Sequence, residues 1–317
     1  MQIRNFTDAD YPFIVAIHNS LNIVWPEASR DPRAWMDADS NRSTKCHFKR
    51  FVAEADGKVV GAASCGNRLD DYQPQKFYVN VEVLEAYRCH GIGTGLYDRL
   101  VEELRPFEPK VLRTDILVNQ IQSYPFVQKR GFREVWRETP VHIGVDDFDS
   151  SPYGNLERQL VDEDIHITTL HDLAGDTGRD QKAYDLYMAL AKDVPSEYAE
   201  FTPSPFEDWL QWCLYDPGSE LNGYFVALHG ENYIAWHDLY RDAGSNALLG
   251  GLLGTLPAYR QKRIGLALML RAIAFARESH LQTFKTCTAI TNTRMQTLFD
   301  KLGFTRDPEW LQCQKDL

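Results

Sequence analysis

The feature that most constrains the fold is an internal repeat. The segment AYRCHGIGTGL at residues 86–96 recurs as AYRQKRIGLAL at residues 258–268, which is 172 positions downstream. The same displacement superposes the Gly-Phe pair at 131–132 on the Gly-Phe pair at 303–304. A register that holds across so much of each half indicates a tandem duplication of one folding unit.

Length and composition agree with two ordinary globular domains. A chain of 317 residues exceeds the usual size of one compact core. We predict an N-terminal domain over 1–150 and a C-terminal domain over 151–317, joined by the acidic, Ser- and Pro-containing stretch at 144–155. The net charge of -11 argues against nucleic acid as a partner, because polyanions bind basic surfaces.

Signals for targeting or for metal binding are missing from the sequence. The start of the chain lacks the basic and then apolar order of a signal peptide, and no apolar run has the length of a membrane span. We therefore expect a cytoplasmic protein with no membrane partner. The cysteines are scattered without a CxxC pair, and the adjacent His237 and Asp238 have no metal-ligand spacing, so we predict no metal site and interpret this pair as ordinary strand residues.

Each half shows the same order of predicted elements. The Asp56-Gly57 pair separates two apolar runs, which indicates a tight hairpin. Hairpin strands followed by a strand, a helix and a strand predict a mixed α/β sheet in each domain. The first half has predicted strands at 51–55, 59–64, 77–83, 111–118 and 132–137 with helices from 92 to 104 and at 120–129; the second has strands at 224–228, 233–239, 247–256 and 284–290 with helices from 264 to 275 and at 292–301.

The loop RCHGIGT at residues 88–94 carries the clearest chemical signal. It precedes an amphipathic helix, whose first turn offers unpaired N–H groups and the positive end of the helix dipole to a phosphate. Gly91 and Gly93 would let the backbone approach a ligand closely, although they could equally serve a tight strand-to-helix turn alone. A dinucleotide-binding G-x-G-x-x-G motif is excluded, since Leu96 stands at the third glycine position.

Two ordered motifs resemble those of the GNAT N-acetyltransferase family. The pattern V-x-x-x-x-R-x-x-G-I-G at 83–93 is similar to the family's acetyl-CoA loop, and TNTRMQTLFDKLGF at 291–304 resembles its closing Asn, helix and Lys-x-Gly-Phe. Residues 118–132 resemble that closing motif more loosely. The resemblance spans essentially the whole chain. It implies two tandem GNAT-like domains, each a mixed, mostly antiparallel sheet flanked by helices, with a V-shaped split between central strands where the cofactor acetyl-CoA binds.

The resemblance also implies which residues hold acetyl-CoA. In the second copy Arg263 stands at the position of Gly91, so its side chain would block close approach of the pyrophosphate or change the backbone angle. The alternative is that Lys262 and Arg263 supply charge to a phosphate. We expect one acetyl-CoA per chain, at the first loop. The implied cofactor-binding residues are Val81, Val83, Arg88, Cys89, His90, Gly91, Ile92, Gly93, Thr94 and Asn119 in the first copy and Thr255, Arg260, Lys262, Arg263, Ile264, Gly265 and Asn292 in the second.

Acetylation of an amine needs a base for the amine proton and an acid for the leaving thiolate. Members of the family often use a Glu near the central strand and a Tyr in the last helix. Glu82 is the candidate base here, against the alternative of a strand carboxylate that only faces solvent. The usual Tyr position holds Val127 and Phe299, so Tyr124, about one turn earlier, is the candidate acid.

The sequence supports two functional hypotheses. The first is an N-acetyltransferase that moves an acetyl group from acetyl-CoA to an amine of a small molecule. The aromatic and acidic stretch at 193–212 would then form an acceptor wall, unless it is a packed loop core. The second is a degenerate module that binds CoA or another ligand without turnover, which the missing Tyr favours. The sequence does not identify the acceptor and leaves a homodimer open.

Overall fold

The computed structural model describes residues 1–21, 46–68, 72–195, 201, 203–216, 218–241 and 245–317. The chain forms two compact units: unit 1 is Met1–Glu138 with Pro308–Leu317, and unit 2 is Thr139–Asp307. The division lies upstream of the boundary predicted at 150 and returns the end of the chain to unit 1. Within the described ranges, no helix combines the length and the apolar character needed to cross a lipid bilayer.

Strands and helices follow the predicted order in both halves. The strands are β1 Gln2–Asn5, β2 Phe48–Ala55, β3 Lys58–Gly66, β4 Lys76–Val83, β5 Val111–Leu117, β6 Arg133–Gly144, β7 Ile165–Thr169, β8 Phe225–His229, β9 Asn232–Arg241, β10 Ala247–Thr255, β11 Thr283–Ala289, β12 Thr305–Arg306 and β13 Trp310–Asp316. The helices are α1 Tyr11–Leu21, α2 Ile92–Leu104, α3 Ser123–Gln128, α4 Leu156–Val161, α5 Arg179–Ala191, α6 Phe206–Trp209, α7 Ile264–Glu278 and α8 Thr293–Leu302. A π-helical turn, Leu210–Leu214, extends α6.

The described strands of unit 1 form a sheet in the order β1-β2-β3-β4-β5-β13-β6, in which β4 and β5 are parallel and the other neighbours are antiparallel. The β2-β3 hairpin turns at Asp56 and Gly57, both with positive φ, as the predicted tight turn requires. Helix α2 packs its predicted apolar face on this sheet, with Leu96, Leu100 and Leu104 fully buried. The mixed, mostly antiparallel sheet predicted for this half is confirmed.

The last strand of the chain completes the sheet of unit 1. Strand β13 lies between β5 and β6 and pairs antiparallel with both. Leu311 and Cys313 on β13 are buried in the unit 1 core. The sequence did not predict this strand. Because β13 follows unit 2 in the chain, unit 1 is not one continuous segment.

Unit 2 repeats the arrangement with the strand order β11-β10-β9-β8-β7, and β10 and β11 are the parallel pair. Short β12 pairs with the second half of β6. Helix α7 packs on this sheet with Ile264, Leu268 and Ala272 buried. Helix α8 begins after Asn292, whose side chain accepts a hydrogen bond from the Met295 N–H, and ends at Gly303, which has a φ of 76°.

The predicted V-shaped split is present in both units. In unit 1, β4 pairs with β5 only over Lys76–Tyr78 and Val111–Arg113, after which the two strands continue without pairing. In unit 2, β10 pairs with β11 only over Ala247–Leu249. Beyond these points, the edges of the central strands face a gap that an extended ligand could occupy as an additional strand.

Candidate functional site

The loop before α2 has the backbone of an anion-binding turn. Gly91 is the N-cap of α2 with a φ of 83°, and Cys89 two residues earlier has a φ of 62°. A Cβ built on Gly91 would meet no protein atom within 4 Å, so the space above the loop is open. The side chain of Ile92, one of the predicted cofactor-binding residues, is buried in the core, where it anchors the start of the helix. The orphan N–H groups of the first turn are thereby held at the mouth of the split.

Two arginines give this loop positive charge. The Arg88 Nε donates to the carbonyl of Val83, at 3.1 Å, which ties the loop to the end of β4. The Arg130 guanidinium lies 3.6 Å from the centre of the Phe126 ring and donates to Thr94 Oγ1. Among the residues that the structure describes, neither arginine forms an ion pair with a carboxylate. Their charge is available to an anion.

A cavity of about 540 Å³ runs along the split of unit 1. It joins the loop at one end to the exposed strand edge of β4 and continues to polar groups beyond it. Of the predicted residues, the cavity is lined by Val81, Glu82, Val83, Arg88, Cys89, Gly91, Gly93 and Thr94. The structure therefore brings the loop and the candidate base into one space.

Besides the buried Ile92, three predicted residues of the first copy lie outside this lining. His90 is exposed, and its Nδ1 lies 2.7 Å from the carbonyl oxygen of Arg88. Asn119 is also exposed, while the neighbouring Gln120 lines the cavity. Tyr124, the candidate acid, packs partly buried against the unit 1 core. Its side chain does not border the cavity, and its assignment as the acid stays a prediction.

Glu82 has a partner that the sequence reasoning missed. The Nδ1 of His18, in the last turn of α1, lies 2.7 Å from Glu82 Oε1. The two side chains are 20% and 15% exposed, and both of them line the cavity. Glu82 is thus not a carboxylate that faces solvent.

The far end of the cavity holds a second polar group. Arg68 Nη2 donates to Asp115 Oδ2 at 2.7 Å, and its guanidinium lies 3.9 Å from the centre of the Tyr78 ring. Gln312 of β13 donates to the other oxygen of Asp115. Trp310, also on β13, lines the same cavity. The last strand of the chain therefore contributes to the site of unit 1.

The loop of unit 2 keeps the backbone of the first loop. Arg263 is the N-cap of α7 with a φ of 67°, and Gln261 has a φ of 68°. The expectation that a side chain would change the backbone angle here is wrong: Arg263 adopts the left-handed conformation of Gly91, at a cost of order 1 kcal/mol. Its guanidinium donates to Gln159 Oε1 at 3.4 Å.

The charge around the second loop is largely neutralised. Arg260 forms an ion pair with Asp193 at 2.6 Å, and Lys262 forms one with Glu163. A cavity of about 770 Å³ lies along this split and is lined by the predicted residues Thr255, Arg260, Arg263, Ile264, Gly265 and Asn292, whereas Lys262 does not line it. Asn292 also caps α8, so a local structural role accounts for it.

The aromatic stretch at 193–212 divides into two parts. Asp193 lines the second cavity, together with Val194 and Pro195. Trp209 is fully buried in a cluster with Tyr187 and Trp236, which is the packed-core alternative. Residues 196–200 and 202 lie outside the described part of the chain.

His237 and Asp238 are more unusual than the sequence indicated. Both are buried on β9, and burial lowers the pKa of His237 to about 4 while it raises the pKa of Asp238 to about 6. Asp238 Oδ2 accepts a hydrogen bond from the Tyr240 hydroxyl at 2.6 Å. Neither residue borders a cavity described above, which agrees with a role in the strand.

Comparison with known proteins yields one family. The family model described as the acetyltransferase (GNAT) family matches residues 14–132 and 184–304. Among solved structures, a GCN5-related N-acetyltransferase from Sphaerobacter thermophilus is 16% identical, with a TM-score of 0.74, over 99% of this chain and 95% of that one. A tandem GNAT protein from the clavulanic acid biosynthesis pathway is 15% identical, with a TM-score of 0.70, over 99% and 98%. At these identities the likeness shows the fold. No curated protein sequence matches the chain.

Proposed function

Because the chain belongs to the acetyltransferase (GNAT) family, we propose that unit 1 transfers an acetyl group from acetyl-CoA to an amine of a small molecule. One observation carries the proposal: a single cavity joins the anion-binding loop, the split between β4 and β5, and the partly buried Glu82. These are the three parts that the reaction needs, namely a hold on the cofactor, a channel for its arm and a proton acceptor.

The residues of unit 1 fit acetyl-CoA. Open space above Gly91 admits a phosphate where a Cβ would otherwise stand, and the N–H groups at the start of α2 with Arg88 and Arg130 would hold it. The edge of β4 from Val81 to Val83, which β5 leaves unpaired, would bind the pantetheine arm. When bound, acetyl-CoA supplies an activated acetyl thioester.

The protein's own groups would manage the proton. Glu82 borders the cavity near the split, where an acceptor amine could approach, and its carboxylate is a suitable acceptor for the amine proton. The aromatic rings of Tyr78 and Trp310 line the same cavity and suit an amine-bearing acceptor by stacking.

We assign no turnover to unit 2. Its loop carries ion pairs that cancel much of its charge, and the strand position equivalent to Glu82 is Gly254. Its cleft and split nevertheless persist. We therefore propose that one acetyl-CoA binds per chain, at the first loop.

A second candidate function is a module that binds CoA without turnover. Val127 and Phe299, at the two positions where the family usually has Tyr, are both buried and apolar. Tyr124 lies outside the cavity lining, so neither the usual family position nor the predicted substitute offers a tyrosine at the cavity for the role of the acid. Acetyl transfer would still be possible if water protonated the leaving thiolate. Kinetic measurement of thiol release distinguishes acetyl transfer from binding without turnover.

Calorimetric titration with acetyl-CoA tests the binding part. We expect one site per chain, lost in Gly91→Arg and kept in Arg263→Gly. Two equivalent sites in the unmodified protein, or loss of binding in Arg263→Gly but not in Gly91→Arg, would contradict the assignment. Release of free thiol across a panel of amines then tests turnover. Thiol release that depends on an amine and falls in Glu82→Gln supports the enzyme, whereas binding without any amine-dependent release supports the module.

A further inference from the structure

A buried tyrosine on α2 has a hydroxyl group for which the described part of the chain offers no partner. Tyr97 lies one turn beyond Thr94 on the helix that follows the first loop, and it lines the cavity of unit 1. The residue is 7% exposed, and no described residue forms a hydrogen bond with its hydroxyl. We propose that this hydroxyl donates a hydrogen bond to a carbonyl oxygen in the pantetheine arm of acetyl-CoA; the inference rests on the cofactor binding proposed for unit 1.

The energetic cost of an unpartnered hydroxyl carries the argument. A buried hydroxyl without a hydrogen bond weakens the fold, because it has given up its bonds to water and has gained none in return. A phenylalanine would fill the same space without that cost. Native proteins leave few such groups, and a ligand is one source of the missing partner. Because Tyr97 lines the cavity, an acceptor atom that enters the cavity can supply it.

The surroundings of Tyr97 keep the hydroxyl a donor. Burial raises the pKa of Tyr97 above its usual range, so the hydroxyl stays protonated at neutral pH. Phe132 makes an edge contact with the Tyr97 ring, with ring centres 6.3 Å apart, and the Arg130 guanidinium lies 5.0 Å from the ring centre. These contacts involve the ring and leave the hydroxyl for another partner. A carbonyl oxygen accepts a hydrogen bond well, whereas sulfur is a weak acceptor, and the proposal therefore names the carbonyl.

The duplicated unit supplies an internal comparison. Thr94, Tyr97 and Arg130 form a polar group on the wall of the first cavity, where Arg130 donates to Thr94 Oγ1 at 2.9 Å and lies over the Tyr97 ring. The residues 172 positions downstream of these three are apolar and buried: Leu266, Met269 and Leu302. Packing at this place therefore does not require a hydroxyl. The hydroxyl occurs in the unit to which we assign acetyl-CoA.

Calorimetric titration of Tyr97→Phe with CoA and its fragments tests the proposal without turnover. We expect the Kd of CoA, and that of desulfo-CoA, which lacks the sulfur, to rise by roughly tenfold. The Kd of the 3′-phosphorylated ADP portion of CoA, which lacks the arm, should not change. Equal weakening of all three ligands would assign the effect to the phosphate loop, and a loss confined to CoA would assign it to the sulfur. Either result, or an unchanged Kd for CoA, would overturn the proposal.

Unfolding of the protein without ligand gives a second readout, in the opposite direction. Tyr97→Phe should unfold at the urea concentration of the wild type or at a higher one, since the hydroxyl has no bond to lose; hydrogen exchange in peptides of α2 reports this for unit 1. Tyr97→Met, which introduces the residue type of unit 2, should weaken CoA binding to the same extent.

Tyr224→Phe is the matched control in unit 2. The buried Tyr224 hydroxyl donates to the carbonyl of Cys213 at 2.8 Å. This variant should bind CoA normally and should lose protection in peptides of β8 at a lower urea concentration than the wild type. A loss of stability in Tyr97→Phe as large as that in Tyr224→Phe would reveal a partner within the folded chain and overturn the proposal.

The outcomes separate this inference from the proposed function. If Tyr97→Phe binds CoA as tightly as the wild type, and the wild type releases thiol with an amine, the role of Tyr97 is refuted and the acetyltransferase function stands. If the wild type binds CoA without amine-dependent thiol release, and Tyr97→Phe weakens that binding, the acetyltransferase function is refuted and the role of Tyr97 stands. Failure of the wild type to bind CoA would overturn both.

Discussion

Replacing Asp238 with Asn should reveal a loss of stability in acid that the wild-type protein hides. Asp238 and its neighbour His237 are both fully buried, and burial shifts their pKa values in opposite directions. Their effects on the pH dependence of folding therefore oppose each other. Removing one titratable group should leave the effect of the other in full view.

The magnitudes follow from the two shifts. Burial lowers the pKa of His237 from 6.5 to about 4, so between these values the unfolded chain binds a proton that the folded chain does not. The contribution of His237 to the free energy of unfolding is therefore greatest above pH 6.5, and it falls by about 3 kcal/mol as the pH drops to 4. Burial raises the pKa of Asp238 from 3.8 to about 6. The contribution of Asp238 to the free energy of unfolding is greatest below pH 3.8, and it falls by about 3 kcal/mol as the pH rises through 6.

The wild-type protein should thus show a nearly flat stability profile between pH 4 and 6 from this pair. Asp238→Asn keeps an acceptor for the Tyr240 hydroxyl and should lose about 3 kcal/mol of stability from pH 6.5 to 4. His237→Gln should show the opposite slope. Urea unfolding at several pH values, followed by hydrogen exchange in peptides of β9, reports unit 2 separately. Asp164→Asn, an exposed site, is the control. Parallel profiles for Asp238→Asn and the wild type would refute the reasoning.

Three further predictions concern the two clefts and the last strand. Arg130→Ala should weaken acetyl-CoA binding by roughly tenfold in calorimetry, with a smaller salt dependence than the wild type, because one phosphate-facing charge is lost; an unchanged Kd would contradict the role of Arg130. Asp193→Asn combined with Glu163→Gln should free the charge of the second loop and raise the calorimetric stoichiometry above one, whereas an unchanged single site would show that ion pairing is not what limits unit 2. Deletion of Pro308–Leu317 should abolish hydrogen-exchange protection in β5 and leave β9 protected, since β13 pairs only within unit 1; equal protection of β5 in both proteins would contradict this.

The local features of each unit were predictable from the sequence because they depend on spacing. The hairpin at Asp56-Gly57 and the helix after the first loop follow from turn chemistry and apolar periodicity, and the structure confirms both. Helix α3, in contrast, is shorter than the predicted 120–129, and β6 runs on beyond 137 to Gly144. Boundaries depend on tertiary contacts that a local pattern does not contain.

The acid and base groups were harder to predict because they depend on contacts between distant residues. His18 lies on a helix with an ordinary amphipathic pattern, and 64 residues separate it from Glu82. Comparison of the two copies could have found the pair, since His18 and Glu82 differ from Leu190 and Gly254 at equivalent positions. The prediction of Tyr124 as the acid rests on its chemistry and its place on a helix, whereas packing against the core sets the position of its side chain.

The position of β13 explains why the duplication does not correspond to two separable halves. The repeat predicts that each copy folds from its own continuous segment, yet β13 gives unit 1 two buried core residues and the Gln312 amide that holds Asp115 beside the cavity. Gln312 also accepts a hydrogen bond from the buried Arg113 at 2.7 Å. A chain that ended at residue 150 would therefore keep the first loop, His18 and Glu82. It would lose a central strand of the sheet and the part of the cavity lining that β13 provides. The proposed site can be complete only after β13, which follows all of unit 2 in the chain, has been synthesised.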